Sequence, residues 1–207
     1  MAALWLVRHA RPLIAPGLCY GATDILADAA DTTRAATALA QALPPDLRGW
    51  QVRVSPLTRT TQLALALHAQ RPDLPTPQAD PRLREMDFGR WEAQPWDAIP
   101  RPELDAWATD FADWRCGGAE STRDVLWRVA AALAEAQAAQ VPTIWITHAG
   151  VIRAVEVVQR TGSVPERITA GEWPKDALGW GGWRVCCLDG PGGLPLALRL
   201  SEGLGRT

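Results

Sequence analysis

The sequence predicts an α/β fold with a mainly parallel sheet, and three observations predict it. Short, almost uninterrupted apolar runs such as "ALWLV" and "PTIWIT" recur along the chain, the pattern of strands covered on both faces. Alanine-rich segments of helical length lie between such runs, and strands alternating with helices argue for helical layers around a parallel sheet. The 207 residues, 47% of them hydrophobic, suffice for one sizeable core, and nothing in them calls for a second.

The first strand is "ALWLV", which stops abruptly on Arg8 and His9. A glycine-punctuated loop, "GLCYGATD", leads to a helix over "ADAADTTRAATALAQAL", which Pro44 and Pro45 end because proline cannot continue the hydrogen-bond ladder. "WQVRV" is the second strand. The helix "SPLTRTTQLALALHA" follows, with Ser55 as N-cap and Pro56 in the first helical position. Residues 71–118, rich in proline and tryptophan, are expected to form a helical insertion over one edge of the sheet. "PTIWIT" is a further strand and stops on His148, after which a helix runs from about Val151 to Gln159. The tail "WGGWRVCCLDGPGGLPLALRL" reads as two strands joined by a glycine-rich turn.

Composition excludes several functions. A net charge of -2 leaves no chain-wide positive field for nucleic acid or an anionic membrane. The basic residues are arginines apart from Lys175. That skew suits bidentate recognition of phosphate, and a biased genomic base composition produces it equally well. The eleven tryptophans are scattered from Trp5 to Trp183, which suits packing better than a base-stacking platform. Cys19, Cys116, Cys186 and Cys187 form neither a CxxC pair nor a zinc spacing. No export signal opens the chain, and no apolar run approaches the ~20 residues that span a bilayer. A soluble, cytoplasmic protein with reduced thiols is expected. Phosphate loops of the GxxxxGK[ST] type, GxGxxG, HExxH and GxSxG are all missing, and three histidines are too few for a metal cage. Of these, His68 falls late in the second helix and reads as a packing or surface residue.

Arg8, His9 and His148 lie at strand carboxyl ends, where open α/β sheets bind ligands. Two further motifs join them. In chain order, "LVRHARP" supplies Arg8 and His9, "SPLTRTTQLA" supplies Arg59, "LREMDFGRWE" supplies Glu85 and "ITHAGVIRA" supplies His148. With all four in this order, from about Leu4 to Ala154, the sequence resembles the histidine phosphatase superfamily, which includes cofactor-dependent phosphoglycerate mutases. The resemblance implies a three-layer α/β/α sandwich, phosphoglycerate mutase-like, as one domain over 1–207. It also implies a phosphohistidine on His9, with no metal and no cofactor.

The chemistry of these residues fits that expectation. Displacing an alkoxide from a phosphate monoester needs a nucleophile, dispersed positive charge on the equatorial oxygens and an acid for the leaving group. A neutral His9 can attack phosphorus, and Arg8, Arg59 and a protonated His148 can clamp the oxygens. Glu85 is the expected acid and then the base that activates water. Asp87, which strand alternation places on the same face, is its rival. The glycines that commonly follow the two family histidines are Ala10 and Ala149 here, and both remain small. After His9, "ARPLIA" replaces the polar E-S-x-x-N of the mutases. The loop "PGLCYGATD" instead looks like that of bacterial α-ribazole-5'-phosphate phosphatases, which act late in cobalamin assembly. Tyr20, Gly21 and Ala149 are then expected to contact substrate, plain loop packing being the other reading of Tyr20. "CGGAES" stands where the family carries a P-x-G-E-S segment that caps the next helix, and the role of Glu120 stays open. The expected partner is a small phosphorylated metabolite, not nucleic acid or membrane, and nothing sets an oligomeric state. A broad-specificity sugar-phosphate or phosphoprotein phosphatase, a mutase, and an inactive phospho-ligand-binding relative remain as alternatives.

Overall fold

A computed structural model describes residues 2–176 and 178–188. Five strands form one sheet: β1 (Ala3–Arg8), β2 (Gln51–Val54), β3 (Gln78–Ala79), β4 (Thr143–Thr147) and β5 (Trp183–Cys187). Their order across the sheet is β3-β2-β4-β1-β5, parallel throughout except for β5, which runs antiparallel to β1. Among the described residues five α-helices accompany the sheet: α1 (Ala29–Ala42), α2 (Thr58–Gln70), α3 (Arg101–Thr109), α4 (Thr122–Ala139) and α5 (Ala149–Thr161).

Side-chain alternation along the strands sorts the core into two layers. Val7, Val52, Val54, Ile144 and Ile146 pack with Ala36, Leu39, Leu63 and Leu67 of α1 and α2 on one face. Leu4, Leu6 and Trp145 pack on the other with Leu126, Val129, Val151 and Val155 of α4 and α5. This is the expected three-layer sandwich. Each fully buried Leu or Val contributes about 1.5–3 kcal/mol relative to exposure, so the two apolar faces fix the sheet between the helix pairs.

Several boundaries differ from the sequence reading. Ser55 is not the N-cap of α2: that position is Leu57, with no side-chain cap. Ser55 instead prolongs β2, its N–H donating to the Ile146 carbonyl at 3.0 Å. Arg59 therefore stands second in α2, nearer the amino end than expected. α5 begins at Ala149, directly after the His148 N-cap. α4, the longest helix, was legible only in its cap: Ser121 Oγ accepts from the Asp124 N–H at 3.1 Å, and Asp124 returns the bond to the Ser121 N–H at 3.0 Å. Of the two strands expected in the tail, β5 is present and the other lies outside the described residues.

Residues 71–118 contain one α-helix, α3, together with β3 and four 3-10 turns. Proline and glycine interrupt longer helices there. The segment is held by aromatic packing, with Phe88 edge-on to Trp96 and Trp107, and Trp107 stacked on Phe111. It pairs with the loop before α1 through Cys19 N–H to Gln94 and Ala93 N–H to the Cys19 carbonyl, both 2.8 Å. All four cysteines are free, and burial pushes the Cys19 and Cys116 thiols up to about 12, which leaves them poor nucleophiles. Among the described residues no helix is long and apolar enough to cross a membrane.

Candidate active site

Parallel register brings the two histidines together. Arg8 is opposite Thr147, so His9 and His148 leave adjacent strands at the same level, and the His9 N–H donates to the Thr147 carbonyl at 3.1 Å. Their ring centroids are 5.1 Å apart. Ser55, at the end of the next strand, reaches the same point.

The imidazole of His9 is buried, with Nδ1 2.6 Å from the Ala10 carbonyl oxygen. A carbonyl only accepts, so Nδ1 carries the proton and Nε2 keeps its lone pair. Burial, then the Arg59 and Arg8 charges, lower its pKa to about 3, so the ring is neutral near neutral pH. His148 is completely buried, with Nε2 2.8 Å from Ser55 Oγ. Burial first, then Arg59 and His9, hold it well below the ordinary imidazole value. Charging it beside the guanidiniums without solvent is unfavourable, so the protein's own surroundings work against the protonated His148 expected from sequence and favour the neutral ring.

Arg59 is fully buried, with Nη2 donating to the Gly21 carbonyl at 2.6 Å and Nη1 to the Thr23 carbonyl at 2.8 Å. The Tyr20 ring lies 5.6 Å from its guanidinium carbon. Arg8 donates through Nη1 to the Leu178 carbonyl at 2.6 Å and lies 5.6 Å from the centre of the Trp180 ring. Neither arginine forms an ion pair among the described residues. Arg8 Nε, Arg59 Nε and His148 Nδ1 are buried without a hydrogen-bond partner. Buried polar atoms are as a rule partnered, so three orphans in one cluster mark a place for an acceptor-rich anion.

Glu85 completes the cluster from the segment before the second 3-10 turn. Its Oε2 accepts from the Gly150 N–H at 3.1 Å, at the positive end of α5, and its Oε1 accepts from the Met86 N–H at 3.1 Å. Residues 84–88 are not part of the sheet, so strand alternation does not relate Glu85 to Asp87. Asp87 Oδ1 accepts from the Gly89 N–H at 2.8 Å and closes a local turn. Glu120 braces this segment: it accepts from the Asp87 N–H at 2.9 Å and takes a two-pronged bond from Arg128, which also donates to the Arg84 carbonyl.

Gly150 is a glycine for a steric reason. A Cβ there would come 2.2 Å from Glu85 Oε1. Gly150→Ala is expected to keep the fold, since alanine suits a helix, while lowering turnover of alkyl phosphates by about tenfold to a hundredfold through displacement of the carboxylate. Steady-state kinetics beside circular dichroism check this, and unchanged kinetics would separate Glu85 from its seat on α5.

Of the expected substrate contacts, Tyr20 lies against Arg59 and Ala149 opens α5. Gly21 is placed differently. It is buried, its N–H goes to Glu92 at 3.0 Å and its carbonyl to Arg59, so it supports the clamp instead of offering a donor to phosphate. Three participants escaped the sequence reading. Ser55 looked like a helix cap. Glu92 sat unremarked at the end of "LREMDFGRWE". Trp180 carried a readable signal, because the glycines around it allow close backbone approach: the Gly181 N–H donates to the His9 carbonyl at 2.9 Å with φ of 72°. Among the described residues no group of three or more His, Cys, Asp or Glu is placed to hold a metal ion.

A family model of the histidine phosphatase superfamily, branch 1, matches residues 4–161. The chain belongs to that superfamily. This histidine phosphatase is a phosphoric monoester hydrolase. A comparison with curated proteins finds no match. Among solved structures it is similar to a mycobacterial glucosyl-3-phosphoglycerate phosphatase, with 23% identity, 89% of each chain covered and a TM-score of 0.71. It is also similar to the TTHB049 protein of Thermus thermophilus, with 26% identity, 89% of this chain and 92% of that one covered, and a TM-score of 0.65.

Proposed function

We propose that this histidine phosphatase is a metal-independent phosphomonoesterase acting through a phosphohistidine on His9. The observation that carries the reading is the His9 ring itself: it is neutral, Nδ1–H is anchored on the Ala10 carbonyl, and Nε2 is left as the nucleophile. Nε2 forms a bond to phosphorus as the ester P–O bond breaks, and Glu85 gives its proton to the departing oxygen. Water then attacks phosphorus, Glu85 takes the proton from that water, and the P–N bond breaks to release phosphate. Arg8, Arg59 and the neutral His148 donate to the equatorial oxygens, where negative charge is greatest in the transition state.

For the alcohol half, α-ribazole 5'-phosphate is the substrate we propose, supported by the loop "PGLCYGATD" and by Tyr20, which this loop lays over Arg59. A sugar-phosphate reading is favoured by the similarity to glucosyl-3-phosphoglycerate phosphatase. Turnover of p-nitrophenyl phosphate in EDTA tests the chemistry, and loss of turnover in EDTA would overturn the metal-independent reading. Comparison of kcat/KM across α-ribazole 5'-phosphate, glucosyl-3-phosphoglycerate, simple sugar phosphates and a phosphopeptide tests the substrate. The first should lead by at least about tenfold, the discrimination a modest pocket difference supplies. A flat profile would make the enzyme broad in specificity.

A further inference from the structure

We propose that Glu92 is the positioning residue of Arg59, acting through the peptide groups of residues 21–23. The Glu92 carboxylate follows the 3-10 turn Gly89–Trp91 and faces a row of donors. Its Oε2 accepts from the Gly21 N–H at 3.0 Å, from the Thr23 N–H at 2.9 Å and from the Thr23 hydroxyl. Its Oε1 accepts from the Ala22 N–H at 2.8 Å and the Phe88 N–H at 3.0 Å. One trans peptide, Gly21–Ala22, carries the link: its N–H, on Ala22, donates to Glu92, and its carbonyl, on Gly21, points the opposite way and accepts from Arg59 Nη2 at 2.6 Å, while the Thr23 carbonyl, just beyond the anchored Thr23 N–H, accepts from Nη1 at 2.8 Å. The approach is tight: a Cβ on Gly21 would come 1.9 Å from the Met86 carbonyl oxygen.

The arrangement solves a charge problem. A completely buried guanidinium requires compensation, yet a carboxylate paired directly with it would repel a phosphate dianion and neutralise the clamp. Here the negative charge is one peptide group removed. Glu92 orients and polarises the Gly21–Ala22 peptide, whose carbonyl dipole grips Arg59, and the Thr23 carbonyl adds a second acceptor. Burial alone would raise the pKa of Glu92, but the Thr23 hydroxyl and the backbone donors outweigh it, and the group stays ionised. A glutamine cannot replace it: one end of its amide would present donors to donors.

The proposal rests on Arg59 being a phosphoryl clamp, and a double-mutant cycle tests the two separately. kcat/KM for p-nitrophenyl phosphate and the affinity for inorganic phosphate are measured for the wild type, Arg59→Lys, Glu92→Gln and the double variant. Arg59→Lys is expected to lose about tenfold to a thousandfold, because a point charge replaces a planar fork. Glu92→Gln is expected to lose about tenfold to a hundredfold in the wild-type background and less than about threefold in the Arg59→Lys background. Full additivity, or a Glu92→Gln variant with wild-type kinetics, overturns the positioning role and leaves Glu92 a loop staple. Wild-type kinetics for Arg59→Lys would instead defeat the clamp reading itself. Should Glu92→Gln not fold, Thr23→Val removes one donor to the carboxylate while keeping side-chain shape. It should then show a loss on the order of threefold to tenfold that vanishes in the Arg59→Lys background, and additivity there overturns the proposal equally.

Discussion

His9→Ala is expected to reduce turnover to no more than about one-thousandth of the wild-type rate while leaving a folded protein, the scale seen when a covalent nucleophile is removed. His9 lies beyond β1, and its ring donates only to its neighbour's carbonyl, so its loss opens no apolar layer of the core. Rapid quench with labelled substrate should trap phosphate on the wild-type protein, stable to base and labile to acid, and trap none on the variant. Comparable rates in the variant would overturn the mechanism. Because burial, Arg59 and Arg8 lower the His9 pKa to about 3, the free imidazole should not set an acid limb near the ordinary value of 6.5. Between these two values the unfolded chain binds a proton that the folded chain does not, so His9 makes folding less favourable as the pH falls. His9→Ala should accordingly lose less stability than the wild type on acidification, as measured by urea denaturation.

Glu85→Gln is expected to slow phosphoenzyme formation by about a hundredfold to ten-thousandfold with alkyl phosphates, the contribution of a placed general acid to alkoxide departure. With p-nitrophenyl phosphate the loss should be mild, since nitrophenolate leaves unaided. Single-turnover quench is the required measurement, because the same carboxylate also activates the water that cleaves the phosphohistidine. Asp87→Asn provides the comparison. Its carboxylate is engaged in a turn with the Gly89 N–H, so any loss should be the same for both leaving groups. Leaving-group dependence in Asp87→Asn and none in Glu85→Gln would transfer the acid role to Asp87. Absence of the effect in both would end the case for acid catalysis by this segment.

Strands β1 and β4 were legible because each is a run of large apolar residues bounded by polar ones, and β2 because its valines alternate with polar residues. α4 went unread beyond its cap, and residues 71–118 hold more 3-10 turns than helix, since proline and glycine there break periodicity without showing where the pieces pack. Ser55 looked like a cap by local rules, yet β2 and β4 pair one residue further and take it into the sheet's hydrogen bonding.

The sequence by itself determined the layered α/β fold and the positions of Arg8, His9 and His148 at strand ends. Hydropathy and turn chemistry act over a few residues, and those features need nothing more distant. Only the tertiary structure decided that the two histidines share one register level, that burial and nearby arginines lower the pKa of both, and that Glu92 and Arg59 bond the same loop at residues 21–23. Desolvation, neighbouring charge and hydrogen-bond partners depend on which distant segments pack together, and no local pattern in the chain encodes them.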